Sequence, residues 1–288
     1  MVISTHSISA AATLACLYEA TAPKPGNVHP GRDVDDASYA DFVVSAIVVG
    51  PILARASVRG VGRTVLEAVR ATREACGTNT NLGTLLLVAP LAAVPAGQTL
   101  ADGIAGVLAR LTSDDTRCVY EAIRLAAAGG LGRVERADVF SDPPNLSLVE
   151  AMRLAADRDS IARQYVNSFA DVFTGPAAWI ADGTSRRLPL STSIVHAHVR
   201  QMAAAPDSLI QRKCGLAVAR ESSQRAAHVL SVGIPGERAY DQALQDLDAW
   251  LRGDGRRRNP GTTADLIAAA LFVILREGRL DWSNVRWS

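Results

Sequence analysis

Aromatic residues are scarce in this chain: Phe, Trp and Tyr together make up 5% of 288 residues. The 48% apolar content is dominated by Ala, Leu and Val, a composition that suits closely packed helices and a substantial buried core. An excess of either charge is also lacking. Thirty Lys and Arg against 29 Asp and Glu leave a formal charge of +1, which argues against a general nucleic-acid binder but leaves room for a local phosphate site. Cysteine is sparse. Cys16, Cys76, Cys118 and Cys214 are widely spaced, form no CxxC pair and carry no zinc signature. Cys16 and Cys118 fall within apolar helical patterns, so reduced, buried thiols are expected. The most apolar run, Leu82 to Val94, is short for a membrane span and contains Pro90, and it reads as a buried core helix. Met1 to Cys16 lacks the basic start of a secretory signal, so a cytoplasmic protein is expected.

No alternating strand pattern, no βαβ rhythm and no internal repeat is visible. Helical periodicity is what the chain does have. Ile8, Ala11, Ala12, Ala15 and Tyr18 share a helical spacing, with Ser7 or Ser9 as the cap. Further helices are expected from near Asp36 through Ile47, over Thr64–Ala75, Leu82–Val94, Thr99–Leu111 and Ser113–Ala127. Gly129-Gly130-Leu131-Gly132 follows a helix and lacks GxxxxGK[ST], so it reads as a helix stop rather than a phosphate loop. Arg133 to Asn145, with charges and paired prolines, reads as an excursion or linker. Ser147–Phe173 reads as two helices or one bent helix. Pro176–Asp182, Ser191–Ala204, Asp207–Ser231 with a break near Gly215, Glu237–Leu251 and Thr262–Glu277 complete the pattern. The expectation is an all-α fold, a single multi-helical domain over residues 1–288.

Three polar stretches interrupt the helices at their mouths. The first is Pro23-Lys24-Pro25-Gly26-Asn27-Val28-His29-Pro30-Gly31-Arg32-Asp33, whose prolines and glycines make a stiff loop of the kind that carries binding residues. The second is Gly77-Thr78-Asn79-Thr80-Asn81-Leu82-Gly83-Thr84, and the third is Asn259-Pro260-Gly261-Thr262-Thr263-Ala264-Asp265. Each is followed by an apolar helix, and free N–H groups at helix starts bind anions. Capping alone explains one or two residues of each stretch. Asp265 falls in a first helical turn, where a carboxylate favours the dipole. Asp33, Asp35 and Asp36 form an acidic cluster in which one carboxylate caps the next helix and the others are candidates for Mg²⁺ bound with phosphates.

Other charged groups have plainer explanations. Arg256, Arg257 and Arg258 read equally well as a solvated basic loop or a phosphate contact. Asp157, Arg158 and Asp159 read as a surface turn between helices. Arg212 and Lys213 suit a helix end, with a phosphate role second. His196 and His198 lie two apart and do not share a helical face, so they are not a metal pair. His228 reads as a packed residue.

With these stretches in hand, the chain resembles the triphosphoribosyl-dephospho-CoA synthase family. The resemblance is carried by Tyr18-Glu19 with Pro23-Lys24-Pro25-Gly26-Asn27-Val28, by Asn79-Thr80 with Gly83, and by Asn259 through Asp265. It runs from near residue 18 to near residue 270. The loop Asn27 to Asp33 looks more like the divergent branch found in archaea and in bacteria with methanopterin-type one-carbon pathways. Members of the family are mainly helical. They transfer the triphosphoribosyl part of ATP to the ribose 2′-hydroxyl of 3′-dephospho-CoA and release adenine.

The resemblance implies ATP and 3′-dephospho-CoA as small-molecule partners, with neither nucleic acid nor membrane, and Mg²⁺ as an inferred cofactor. Lys24, Arg32 and two helix N-termini are candidates for the phosphates. Asn27, Asn79 and Thr80 are candidates for ribose or adenine. Gly26, His29, Gly83, Asn259, Gly261, Thr262 and Thr263 complete the expected ATP-binding set. Asp33, Asp36 and Asp265 are the candidate catalytic carboxylates, with Asp36 and Asp265 the candidate metal ligands, and one of the three is the candidate base. Two competing readings stand beside this one. One is transfer to another acceptor in coenzyme assembly, such as a methanopterin-type one-carbon carrier. The other is a nucleotide-binding scaffold without chemistry.

Overall fold

The computed structural model describes residues 7–33, 37–126, 145–280 and 285–288. Gly129–Gly132, most of the stretch from Arg133 to Asn145, and Asp35 and Asp36 lie outside the described residues. The fold is all-α.

Local sequence sets several of the helix boundaries. Helix α1 (Ile8–Thr21) is opened by Ser7, whose Oγ accepts from the N–H of Ala10 at 3.4 Å. Helix α2 (Tyr39–Leu53) begins later than its apolar pattern suggests, because Ser38 and Asp41 form a reciprocal capping box in front of it. The Ser38 N–H donates to Asp41 Oδ2 at 2.7 Å. Short α3 (Ala56–Arg59) leads into α4 (Val61–Cys76). The apolar run becomes α5 (Leu82–Ala92), followed by α6 (Leu100–Leu108) and α7 (Ser113–Ala126).

The stretch expected to hold one or two helices holds three: α8 (Leu148–Arg153), α9 (Ser160–Val166) and α10 (Ala170–Thr174). Asp159 starts α9 by accepting from the N–H groups of Ile161 and Ala162 at 2.8 and 3.1 Å. Ser168 and Phe169, with φ of 54° and 62°, then separate α9 from α10. Helices α11 (Pro176–Ser185) and α12 (Leu190–Ala204) follow. Helices α13 (Ser208–Cys214) and α14 (Leu216–Ser231) are split at Gly215, whose φ of 87° only glycine adopts readily. The chain continues through α15 (Arg238–Arg252), a four-residue extended segment β1 (Gly253–Arg256) and α16 (Gly261–Arg276).

Two apolar cores result. The larger is built on α5 and α16, which are apolar around most of their circumference and are therefore enclosed on all sides. Helix α16 packs against α1, α5, α11 and α12. The smaller core gathers Val199, Met202, Ile210, Val229, Tyr240, Leu247 and Leu251 from α12 to α15. Leu244 packs against both. Scarce aromatics are compensated by Ala and Leu, which let the helices approach closely. All four cysteines are free thiols, Cys16 buried and Cys118 half-buried. Burial raises the Cys16 thiol to about 12. His228, expected to be packed, is exposed. Among the described residues no helix is long and apolar enough to cross a membrane.

Candidate functional site

The apolar helices α5 and α16 bring their polar N-termini together. The Thr84 hydroxyl, in the first turn of α5, donates at 2.8 Å to Oδ1 of Asp265, the fifth residue of α16, which lies past the first turn where its sequence placed it. Gly83 makes this approach possible: a Cβ there would lie 2.0 Å from Asp265 Oδ2. The Asp265 side chain keeps one face open to a cavity while protein surrounds the rest. That desolvation, reinforced by the nearby carboxylates of Glu19 and Asp207 and opposed by the Thr84 hydrogen bond, raises its pKa to about 8.

The first polar loop is tied to the third. The Asn27 amide donates to Asn259 Oδ1 at 3.0 Å. Asp248 of α15 accepts from the Gly26 N–H at 2.7 Å and pairs with Arg252, which in turn donates to the Asn27 carbonyl at 2.7 Å. The second loop is held by α2, since the hydroxyls of Ser45 and Thr80 lie 2.6 Å apart.

A cavity of about 840 Å³ is lined by residues of all three loops, within the ~300–1,000 Å³ usual for small-molecule sites. Of the residues expected from sequence, Asn27, Asn79, Thr80, Gly83, Asn259, Gly261, Thr262 and Asp265 line it. Others lie elsewhere. Lys24 is fully buried, and its ammonium pairs with Glu19 Oε1 at 2.9 Å and donates to the Glu19 carbonyl, so it faces α1 rather than the cavity. Gly26 is buried against Pro260 and Leu251. His29 and Arg32 form an isolated turn, with Arg32 exposed. Asp33 is exposed and accepts from the Tyr39 N–H at 2.7 Å, which makes it a helix-start residue. Thr263 is buried and gives both its N–H and its hydroxyl to Asp207. Asp36 lies outside the described residues.

Several residues outside the expected site set also meet at this cavity, among them Arg212, Lys213 and Arg256, for which a phosphate contact is one of two readings. Glu19 lines it; it belongs to the Tyr18-Glu19 motif and puts a charge on the buried side of an apolar helix, yet the expected site set gives it no role. Arg73 lines it near the second loop. Arg158, Arg212, Lys213 and Arg256 supply positive charge on the wall formed by the α8–α9 turn, α13 and β1. Arg212 pairs with Asp159 at 2.6 Å, so the turn between α8 and α9 gives Arg158 and Asp159 to the wall while Asp157 stays exposed on the surface. Asp207 stands behind the wall, buried. Its Oδ1 accepts from the N–H groups of Leu209 and Ile210 at 2.8 and 3.0 Å. Its Oδ2 accepts from the N–H and hydroxyl of Thr263 at 2.7 and 2.8 Å. One carboxylate thus caps both α13 and α16. Burial raises its pKa, and these hydrogen bonds pull the other way.

Chemically, the cavity offers a deep-set carboxyl, a second carboxyl paired with a buried lysine, neutral amides and hydroxyls, and a cationic wall. Fold and site define the class: an all-helical protein with a small-molecule cavity suited to a polyanionic, nucleotide-like ligand. The family model described as CitG, ATP:dephospho-CoA triphosphoribosyl transferase, matches residues 5–284, and the chain belongs to that family. It is a transferase, and the family's reaction moves the triphosphoribosyl group of ATP to dephospho-CoA. Its fold is similar to a crystal structure of a provisionally assigned triphosphoribosyl-dephospho-CoA synthase from Archaeoglobus fulgidus, with a TM-score of 0.65 and 24% identity. That similarity covers 83% of this chain and 100% of the other. A comparison with curated proteins gives no match.

Proposed function

We propose that this cavity is where ATP gives its triphosphoribosyl group to the ribose 2′-hydroxyl of 3′-dephospho-CoA. The observation that carries the reading is the meeting of the three motif loops around Asp265 in one cavity of nucleotide size. In the reaction the acceptor oxygen forms a bond to C1′ and the C1′–N9 bond breaks. Its electron pair leaves with the purine, which takes up one proton, while the acceptor hydroxyl loses one.

The chain's own groups suit these steps. Arg158, Arg212, Lys213 and Arg256 bring positive charge to the triphosphate. The first turn of α16 is a poorer phosphate site than its sequence suggests, because Asp207 already occupies the N–H of Thr263. Glu19, whose charge Lys24 balances, is the carboxylate that receives the acceptor proton. Asp265 is held by the Thr84 hydroxyl, and burial leaves it short of a counter-charge. Such a carboxyl fits Mg²⁺ shared with phosphate oxygens. When bound, the ion would neutralise charge on the triphosphate.

The test is incubation of the protein with ATP, Mg²⁺ and 3′-dephospho-CoA, reading free adenine and the adduct mass. Adenine release that depends on the acceptor is expected. Asp265→Asn should lose turnover in a way that changes across a Mg²⁺ titration. Glu19→Gln should lose kcat at every Mg²⁺ concentration. Absence of both adenine and adduct in the wild type would sink the reading.

A further inference from the structure

Helix α2 is apolar on its outer side as well as its inner one. It packs against α1, α4 and α5, burying Ser45, Ala46, Val49, Gly50 and Leu53. Facing away from them, Ala40, Val44, Ile47 and Pro51 are all exposed. These four fall at alternating steps of four and three residues, and the same steps continue through Ala54 to Val58 of α3. That spacing is the heptad seam by which one helix packs along another. Val44, Ile47 and Val58 are 39%, 56% and 88% exposed, and they are three of the six large apolar side chains so exposed among the described residues. Single exposed apolar residues are ordinary, but a row of them on one face marks a contact surface.

Charge beside the seam identifies what covers it. Asp41 follows Ala40 by one position, and Arg55 follows Ala54 by one position. The two lie two heptads apart, so they share a flank at opposite ends of the row. Asp41 is half-buried, with Oδ2 taken by the capping box, and Arg55 is exposed. Laid parallel on a copy of itself, the row would set like charges side by side at both ends. Laid antiparallel, it sets Asp41 against Arg55 of the partner subunit and repeats that pair at the other end. Val44 then stacks on Ala54 of the partner subunit, and Ile47 on Pro51 of the partner subunit. A face that is complementary to itself in this way suits a two-fold pair, where both copies offer the same patch. We propose that this face is the interface of a homodimer in which α2 packs antiparallel on α2 of a second copy. The interface backs the cavity. From the other side of α2 the Ser45 hydroxyl lies 2.6 Å from that of Thr80, and Phe42 lines the cavity. Neither the ligand nor the reaction of the cavity enters the pairing.

Sedimentation velocity on the full chain, without ligand, reads the mass. At roughly 10 µM the wild type should sediment at twice the 30.4 kDa of one chain, as a dissociation constant near or below 1 µM requires. Ile47→Asp should sediment as one chain with its far-UV circular dichroism unchanged, since that side chain is more than half exposed. Arg55→Glu sets acid against acid at both ends and should weaken the dimer severalfold at low salt, with high salt narrowing the gap. Direction is read by cross-linking. A mixture of Val44→Cys chains and Ala54→Cys chains should form a disulfide pair on mild oxidation, whereas Val44→Cys alone should not. The wild type, with its own four free thiols, is the control.

A wild type that stays at the mass of one chain would overturn the proposal and give the face to a different occupant. A dimer that survives Ile47→Asp with the fold intact would overturn it too, because the copies would then meet elsewhere. Should Ile47→Asp fail to fold, an unweakened dimer of Arg55→Glu at low salt would overturn the pairing. Val44→Cys chains that cross-link to one another as readily as to Ala54→Cys chains would overturn the antiparallel arrangement.

Discussion

Single atoms decide how close the two central helices come. At Gly83 an added Cβ would lie 2.0 Å from Asp265 Oδ2 and 2.8 Å from Ile161 Cδ1. Gly83→Ala must therefore push the Asp265 carboxyl away from Thr84. Misplacement on that scale costs about a hundredfold in kcat/KM, and overpacking costs ~1–3 kcal/mol of stability. Steady-state kinetics beside a urea titration would show both, and an unimpaired Gly83→Ala enzyme would remove Asp265 placement from the account. His198 poses a separate problem at this scale. It is fully buried in α12 with neither ring nitrogen partnered, and burial, with Lys24 nearby, holds its pKa well below 6.5. The folded chain keeps it neutral while the unfolded chain protonates it. Its contribution to stability is thus present above pH 6.5 and is lost as pH falls from there towards the depressed folded value, at up to ~1.4 kcal/mol per pH unit. His198→Leu should melt at an equal or higher temperature at pH 7 and show a flatter decline between pH 6.5 and 5. An unchanged slope would show that this ring does not report the titration.

At the scale of elements, helix starts organise the molecule. Pro260 precedes α16 and offers no side-chain acceptor, so the cap comes from Asp207, 56 residues before Thr263. The same carboxylate caps α13. Asp207→Ala should remove both caps and cost about 2–3 kcal/mol, since each cap is typically worth ~1 kcal/mol. Asp207→Asn keeps one acceptor and should fall between. A urea midpoint for Asp207→Ala matching the wild type would refute the bridge. This long reach also explains what sequence reading finds and misses. The loops at Asn79–Gly83 and Asn259–Asp265 stand out because small polar residues abut apolar runs, a signal contained within a few positions. The pairings of Glu19, Asp207 and Arg212 carry no such local signal: their partners Lys24, Thr263 and Asp159 are known only once the helices pack. Lys24 misleads for the same reason, because a lysine in a proline-rich loop reads as exposed until its buried pairing with Glu19 is seen.

Across the whole molecule, the two apolar cores are joined through α12 and Leu244. Helix α12 contributes Ile194, Val195 and Ala197 to one core and Val199 and Met202 to the other. Leu244 touches both, and the bonds from Gly26 to Asp248 and from Thr263 to Asp207 add polar links between elements of the two. A helix shared by two cores cannot release one without exposing part of the other. We propose on this ground that the chain unfolds as a single cooperative unit. Leu87→Ala, in the larger core, and Leu247→Ala, in the smaller, should each cost ~2–5 kcal/mol. Each should shift one common transition seen by far-UV circular dichroism and by tryptophan fluorescence, where Trp250 packs against the smaller core and Trp179 against the larger. ATP, if it binds between the loops, should raise that same transition and not a part of it. Two separate transitions, with Leu247→Ala moving only one of them, would show that the smaller core folds independently and that the cavity lies between two units rather than within one.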